Sequence, residues 1–112
     1  MTPDEMREDY NWREAFAYGA TPQPVEGYEG PLDAVTLDDV EEVIAASAGD
    51  NDGPAWVCIV RLRDRRFAFL SAWRDYTGWG CREGGDAWVH GDLGALVQFG
   101  CTADARERMG LA

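Results

Sequence analysis

The chain has 112 residues, 46% of them hydrophobic, and a formal net charge of −11 at pH 7. This length and composition predict one globular domain and argue against a disordered chain. The charge is uneven, because residues 1–52 carry fourteen Asp and Glu against two Arg, whereas residues 53–112 carry seven against eight. An acidic surface repels phosphate and anionic lipid, so the sequence predicts a basic protein partner and no direct binding of nucleic acid or membrane.

The N-terminus gives no sign of export. Residues 1–9 lack a basic segment followed by an apolar one, and the chain has no apolar run long enough to span a membrane. We therefore expect a cytoplasmic protein. Its three cysteines, Cys58, Cys81 and Cys101, are an odd number and favour free thiols over a disulfide framework.

The first third of the chain is acidic and rich in turn-forming residues. A short helix is predicted over Asn11 to Tyr18, because Trp12 and Phe16 fall on one helical face. Pro and Gly recur from Thr21 to Pro31 and predict turns. We expect residues 1–35 to be a loosely packed acidic segment of the single domain.

The segment from Thr36 to Gly49 has the pattern of an amphipathic helix. Thr36 suits the N-cap position, and Asp39 completes a capping box. One side of the predicted helix is apolar and carries Leu37, Val40, Val43 and Ile44. The opposite side is acidic and carries Asp38, Asp39, Glu41 and Glu42.

These four acids are predicted to bind the basic partner. Asp38 and Glu42 would place like charges four residues apart, which costs a helix about 0.2–0.5 kcal/mol and is not needed for folding. The alternative is a solvated face, because the first turn of a helix favours acids and exposed charges need no partner. Both interpretations stay open on the sequence alone.

Two apolar runs, Ala55 to Leu62 and Phe67 to about Arg74, predict a β-hairpin that turns over Asp64-Arg65. The predicted cross-strand pairs are Leu62–Phe67, Val60–Phe69, Cys58–Ser71 and Trp56–Trp73 on one face, and Ile59–Leu70 and Val57–Ala72 on the other. Both faces are apolar, so either helices cover both or one face is a homodimer contact.

Four arginines, Arg61, Arg63, Arg65 and Arg66, lie around the hairpin turn. Such a cluster is one signal of nucleic-acid binding. The net charge of −11 opposes it, because binding driven by counterion release rewards a basic surface. We expect these arginines to pair with the acidic half of the chain instead.

The remaining chain predicts a third strand and two short helices. The strand runs from Ala87 to His90, and the helices run from Leu93 to Phe99 and from Ala103 to Met109, with Asp92 and Thr102 as N-caps. The predicted fold is therefore α+β, with a small, mostly antiparallel sheet of about three strands. The predicted order is helix, helix, strand, strand, loop, strand, helix, helix.

No catalytic residue, metal site or cofactor is predicted, because no motif combines a nucleophile, a base and an orienting group. His90 is the single histidine, so the enzymatic alternative is a thiol-dependent enzyme or metal-binding module centred on Cys81 and His90. A zinc site would add Cys58 and Cys101, but no two of these residues have the close spacing of a zinc knuckle.

The loop from Asp75 to Gly85 is rich in glycine and contains Tyr76 and Trp79. These aromatic residues either cover the core, which is the favoured interpretation, or contact a partner.

The sequence Asp75-Tyr-Thr-Gly-Trp-Gly-Cys81, with an apolar hairpin before it and Phe99-Gly-Cys-Thr after it, resembles a family of small proteins of actinobacteria and their phages. The resemblance covers residues 36–111 and implies a phage or accessory-gene setting but no activity. Relatives tend to carry Gly-Cys and Asp-Gly where this chain has Trp73-Arg74 and Asp64-Arg65.

The leading hypothesis is a non-enzymatic acidic interaction protein that binds a basic protein surface, as a nucleic-acid mimic or an inhibitor. Its predicted contact residues are Asp38, Asp39, Glu41, Glu42, Tyr76 and Trp79. The alternatives are the module centred on Cys81 and His90 and a self-associating structural subunit.

Overall fold

The computed structural model describes residues 1–76 and 82–111, in which five strands form one mixed sheet. The strands are β1 (Thr21–Gln23), β2 (Val40–Ser47), β3 (Trp56–Leu62), β4 (Phe67–Asp75) and β5 (Arg82–His90). Their order across the sheet is β1-β5-β4-β3-β2. β1 runs parallel to β5, and the three other neighbouring pairs are antiparallel.

Short helices precede and follow the sheet in the chain. They are α1 (Pro3–Glu8), α2 (Tyr10–Ala15), α3 (Leu93–Ala95) and α4 (Ala103–Arg108), with a 3₁₀ turn at Leu37–Asp39 and a π-helical turn at Leu96–Gly100. Asp92 and Thr102 cap α3 and α4, since their side-chain oxygens accept hydrogen bonds from the backbone N–H groups of Ala95 (2.9 Å) and Ala105 (3.1 Å). Both predicted N-caps are confirmed.

The predicted fold is wrong in the number and order of its elements, although helices and a sheet do combine in an α+β arrangement. Five strands replace the expected three, and one pair is parallel. Thr21–Gln23, predicted as turns, forms β1 at one sheet edge. β5 begins at Arg82, five residues before the predicted strand.

The predicted helix from Thr36 to Gly49 is also wrong. The capping box is present, because the Asp39 carboxylate accepts hydrogen bonds from the Thr36 backbone N–H (2.9 Å) and hydroxyl (3.2 Å). It caps only the 3₁₀ turn, after which β2 pairs with β3. The register of β2 shifts twice, between Val40 and Glu42 and again between Val43 and Ala45. Each bulge adds one residue to the strand, so that apolar residues three apart in the sequence face the same side of the sheet. The same spacing is typical of an amphipathic helix.

The hairpin of β3 and β4 is confirmed, but its register is one residue away from the prediction. Trp56 pairs with Ala72, and Ile59 pairs with Phe69. The loop has three residues, closed by a hydrogen bond from the Leu62 N–H to the Arg66 carbonyl oxygen (2.7 Å). A loop that is one residue longer moves every pair, so the predicted pairing of Trp56 with Trp73 is wrong.

Arg65 takes the third position of this loop with a positive φ of 76°. Three-residue hairpin loops place their last residue in the left-handed region, which glycine adopts without strain.

Replacing Arg65 with Gly is therefore expected to raise the melting temperature by roughly 2–5 °C, because a left-handed residue with a Cβ costs about 1–2 kcal/mol and glycine recovers part of that. Thermal unfolding followed by circular dichroism measures the effect. Arg65→Ala is the matched control: it removes the same side chain, keeps the strained backbone and should give no gain. A lower melting temperature for Arg65→Gly would show that this backbone is not strained.

Helices cover both faces of the central strands. On one face Met6, Trp12 and Phe16 pack with Cys58 and Leu70. On the other face the C-terminal segment contributes Leu96, Cys101 and Ala105, which pack with Val57, Ile59 and Phe69. The apolar hairpin therefore needs no second copy to cover it, and the homodimer stays a prediction without that support. In the described part of the chain, no helix is long and apolar enough to cross a membrane.

Candidate interaction surface

The four acids predicted to bind a partner lie together, although not on a helix. Asp38 and Asp39 belong to the 3₁₀ turn, and Glu41 and Glu42 begin β2, the edge strand of the sheet. All four are exposed.

Arg7 brings a second acidic segment to the same edge. Its guanidinium donates hydrogen bonds to the carbonyl oxygens of Leu37 (3.1 Å) and Val40 (3.1 Å), and to the Asp4 carboxylate (2.8 Å). α1 therefore packs on the turn and on the start of β2. We call the carboxylates around these contacts, which are Asp4, Asp38, Asp39, Glu41 and Glu42, the acidic corner.

Two hairpin arginines contact the acidic corner, as the sequence favoured. Arg61 lies between Glu42 (3.0 Å) and Glu41 (3.5 Å). Arg63 donates a hydrogen bond to the backbone carbonyl oxygen of Asp38 (2.7 Å). This contact does not involve the Asp38 carboxylate. Exposed ion pairs contribute only about 0–1 kcal/mol each. In residues 1–76 and 82–111, no ion pair forms to Asp38 or Asp39, so the corner stays negative.

Arg66 pairs locally and is not available to a phosphate. Its guanidinium bonds the Asp64 carboxylate (2.7 Å), the Tyr28 hydroxyl (2.7 Å) and the Pro31 carbonyl (3.2 Å). The hydrogen bond to Arg66 lowers the pKa of Asp64 below its usual range. Three of the four hairpin arginines, Arg61, Arg63 and Arg66, thus contact other groups of the chain.

Tyr76 is far from the acidic corner and covers a buried charge. Arg74 is only 6% exposed, and its guanidinium lies 5.5 Å from the Trp56 ring centroid and 4.8 Å from that of Tyr76. Arg74 also donates to the Tyr76 hydroxyl and to the Asn11 side-chain oxygen (3.3 Å). Tyr76 therefore packs on the buried Arg74 side chain, and its role as a core cover or a partner contact stays a prediction.

The structure therefore does not bring all the predicted contact residues together. Tyr76 follows the far end of β4, roughly 26 Å along that strand from the hairpin turn at about 3.3 Å per residue. Trp79 lies outside the described residues, as does Cys81.

The described thiols are poor nucleophiles. Burial raises the pKa of Cys58 far above its usual range and that of Cys101 to about 11. His90 lies beside Tyr28, with ring centroids 6.0 Å apart, and its Nδ1 accepts a hydrogen bond from the Asp92 N–H (2.9 Å). Among the described residues, no group of three His, Cys, Asp or Glu side chains could hold a metal ion. The hypothesis centred on Cys81 and His90 stays a prediction, because Cys81 is not described.

One exposed aromatic residue, Trp73, is not identified as a candidate contact residue from the sequence. Trp73 is 44% exposed on β4 and pairs with Gly84 of β5. Its indole lies against that glycine, since a Cβ built on Gly84 would be 3.0–3.2 Å from the ring atoms. With the correct hairpin register, Trp73 shares the face of Phe69, beyond the part of β4 that the C-terminal helices cover.

No family model, no curated protein and no solved structure matches the chain. The resemblance to small actinobacterial and phage proteins stays a prediction, so the proposals below rest on the surfaces of this chain.

Proposed function

We propose that the protein is a non-enzymatic interaction protein that binds a basic protein surface through the acidic corner. The observation that carries this proposal is the contact of Arg7 with the carbonyl oxygens of Leu37 and Val40. It joins two acidic segments that are thirty residues apart in the sequence. Folding alone does not require this concentration of like charge, whereas a basic partner would gain from it.

Preorganisation supports the same proposal. Arg61 pairs with Glu41 and Glu42, and the Asp39 carboxylate accepts hydrogen bonds from Thr36. Such contacts restrict the side chains, and restricted carboxylates lose less entropy when a partner binds. A surface that normally binds nucleic acid is one such basic surface, so the proposal includes mimicry of a nucleic-acid backbone. A cytoplasmic location and a phage or accessory origin are part of the proposal.

Neutralising the corner is expected to weaken binding of a basic probe. The probe is octa-arginine, and the variant combines Asp38→Asn, Glu41→Gln and Glu42→Gln. We expect about a tenfold lower affinity by isothermal titration calorimetry, from three exposed charge contacts of roughly 0.5 kcal/mol each. The affinity of the unmodified chain should also fall steeply between about 20 and 150 mM NaCl.

The matched control removes the same charge elsewhere. It combines Glu29→Gln, Asp104→Asn and Glu107→Gln, three exposed acids outside the corner. This control should keep an affinity within about twofold of the unmodified chain. An equal loss in both variants would show that octa-arginine responds to net charge alone and would overturn the corner as the binding site.

A further inference from the structure

Trp73 and Asp86 lie near each other on one face of two neighbouring strands, β4 and β5. Trp73 pairs with Gly84, and Ser71 pairs with Asp86, so both side chains are on the same face of β4 and β5. Diagonal neighbours of this kind have their Cα atoms about 7–8 Å apart, within reach of a long side chain. This face is the one on which Phe69 packs under the C-terminal helices.

Both side chains are held in position by their neighbours. The indole contacts Gly84, and Trp73 remains 44% exposed. The Asp86 carboxylate accepts a hydrogen bond from the Gln23 side-chain nitrogen (2.9 Å) through one oxygen, Oδ1. At the next position along the two strands Asp75 pairs with Arg82, and these residues have opposite charges. The patch is therefore net negative.

We propose that Trp73 and Asp86 form a binding site for an arginine or lysine side chain of a basic protein partner. A tryptophan face attracts a cation, and a nearby carboxylate adds a charged contact. In the described part of the chain, arginines lie over Tyr10, Trp56 and Tyr76 but none lies over Trp73. The proposal takes the basic character of the partner from the proposed function but places the contact at a different surface.

An exposed tryptophan across from a glycine also has a purely structural role, because the ring covers a strand position that lacks a side chain. That role predicts an effect on stability and none on cation binding. The experiment must therefore read out binding at the indole itself.

The test is a titration of the ¹⁵N-labelled chain with octa-arginine, followed at the indole N–H resonance of Trp73. The resonance is identified by its loss in Trp73→Leu, which keeps an apolar cover over Gly84. We expect this resonance to shift with octa-arginine and to stay in place with octa-citrulline, the neutral analogue. Trp73→Leu and Asp86→Asn should each lower the affinity about two- to fivefold. Tyr18→Leu removes another exposed aromatic side chain and should leave the affinity unchanged.

The outcomes separate this proposal from the proposed function. Shifts at the acidic corner without a shift of the Trp73 indole would overturn the Trp73 site and leave the corner intact. A shift of the Trp73 indole without shifts at the corner would support the site and contradict the corner. Absence of binding to the unmodified chain would overturn both.

Discussion

Replacing Arg74 with Met is expected to lower the free energy of unfolding by about 3–5 kcal/mol, the cost of removing one partner from a buried charged network. The Arg74 side chain is 4% exposed, and its Nε lies 3.6 Å from the Glu83 carboxylate, itself 21% exposed. Methionine keeps much of the contact with Trp56 and Tyr76 but removes every donor. Glu83 and the Asn11 side-chain oxygen then lose their partner.

Urea unfolding of Arg74→Met measures this loss. Arg82→Met is the matched control, because Arg82 is exposed on the neighbouring strand and its replacement should change stability by less than about 0.5 kcal/mol. The double variant Arg74→Met/Glu83→Gln should recover part of the loss, since it removes the unpaired charge. A change below about 1 kcal/mol for Arg74→Met would show that the network contributes little to folding.

Replacing Gly49 with Ala is expected to cost about 2–3 kcal/mol, because the new Cβ would meet backbone atoms that cannot move independently. It would lie 2.6 Å from Trp56 N and also closer than contact distance to the Pro54 carbonyl oxygen. This carbonyl accepts the hydrogen bond from the Asp50 N–H (2.9 Å) that closes the connection from β2 to β3. The substitution therefore forces β2 and β3 apart at the end where they are joined.

Gly91→Ala is the control for Gly49→Ala, because in the described part of the chain no atom other than those of its chain neighbours lies within 4 Å of a Cβ at Gly91. It should be neutral or slightly stabilising, since alanine restricts the unfolded chain. Chemical denaturation of both variants checks the pair of predictions. Equal stability of the two would mean that the backbone around Pro54 relaxes easily.

The sequence predicts structure correctly where interactions between residues close in the chain determine it. The N-caps Asp92 and Thr102, the capping box at Thr36, and the apolar runs of β3 and β4 all form as predicted. The predicted hairpin register is wrong because the three-residue loop needs a positive φ at Arg65, and arginine rarely adopts one.

Long-range pairing explains the larger errors. The helix predicted at β2 is wrong because the bulge between Val40 and Glu42 lets Val40 and Val43, three residues apart, face the same side of a strand. Only the pairing with β3 makes this segment a strand. β1 contains Pro22 and is stabilised by its pairing with β5 at a sheet edge, where proline is tolerated. The acids at residues 38–42 were identified, but their junction with α1 depends on Arg7, whose contacts are thirty residues away.

The most direct test of the acidic corner is the map of backbone amide shifts when the ¹⁵N-labelled chain is titrated with octa-arginine at low salt. The proposed function predicts that the largest shifts fall on residues 4–8 and 38–42 and disappear in the variant with Asp38→Asn, Glu41→Gln and Glu42→Gln. Shifts spread evenly over all exposed acids, or centred on α4 where Asp104 and Glu107 lie, would contradict it.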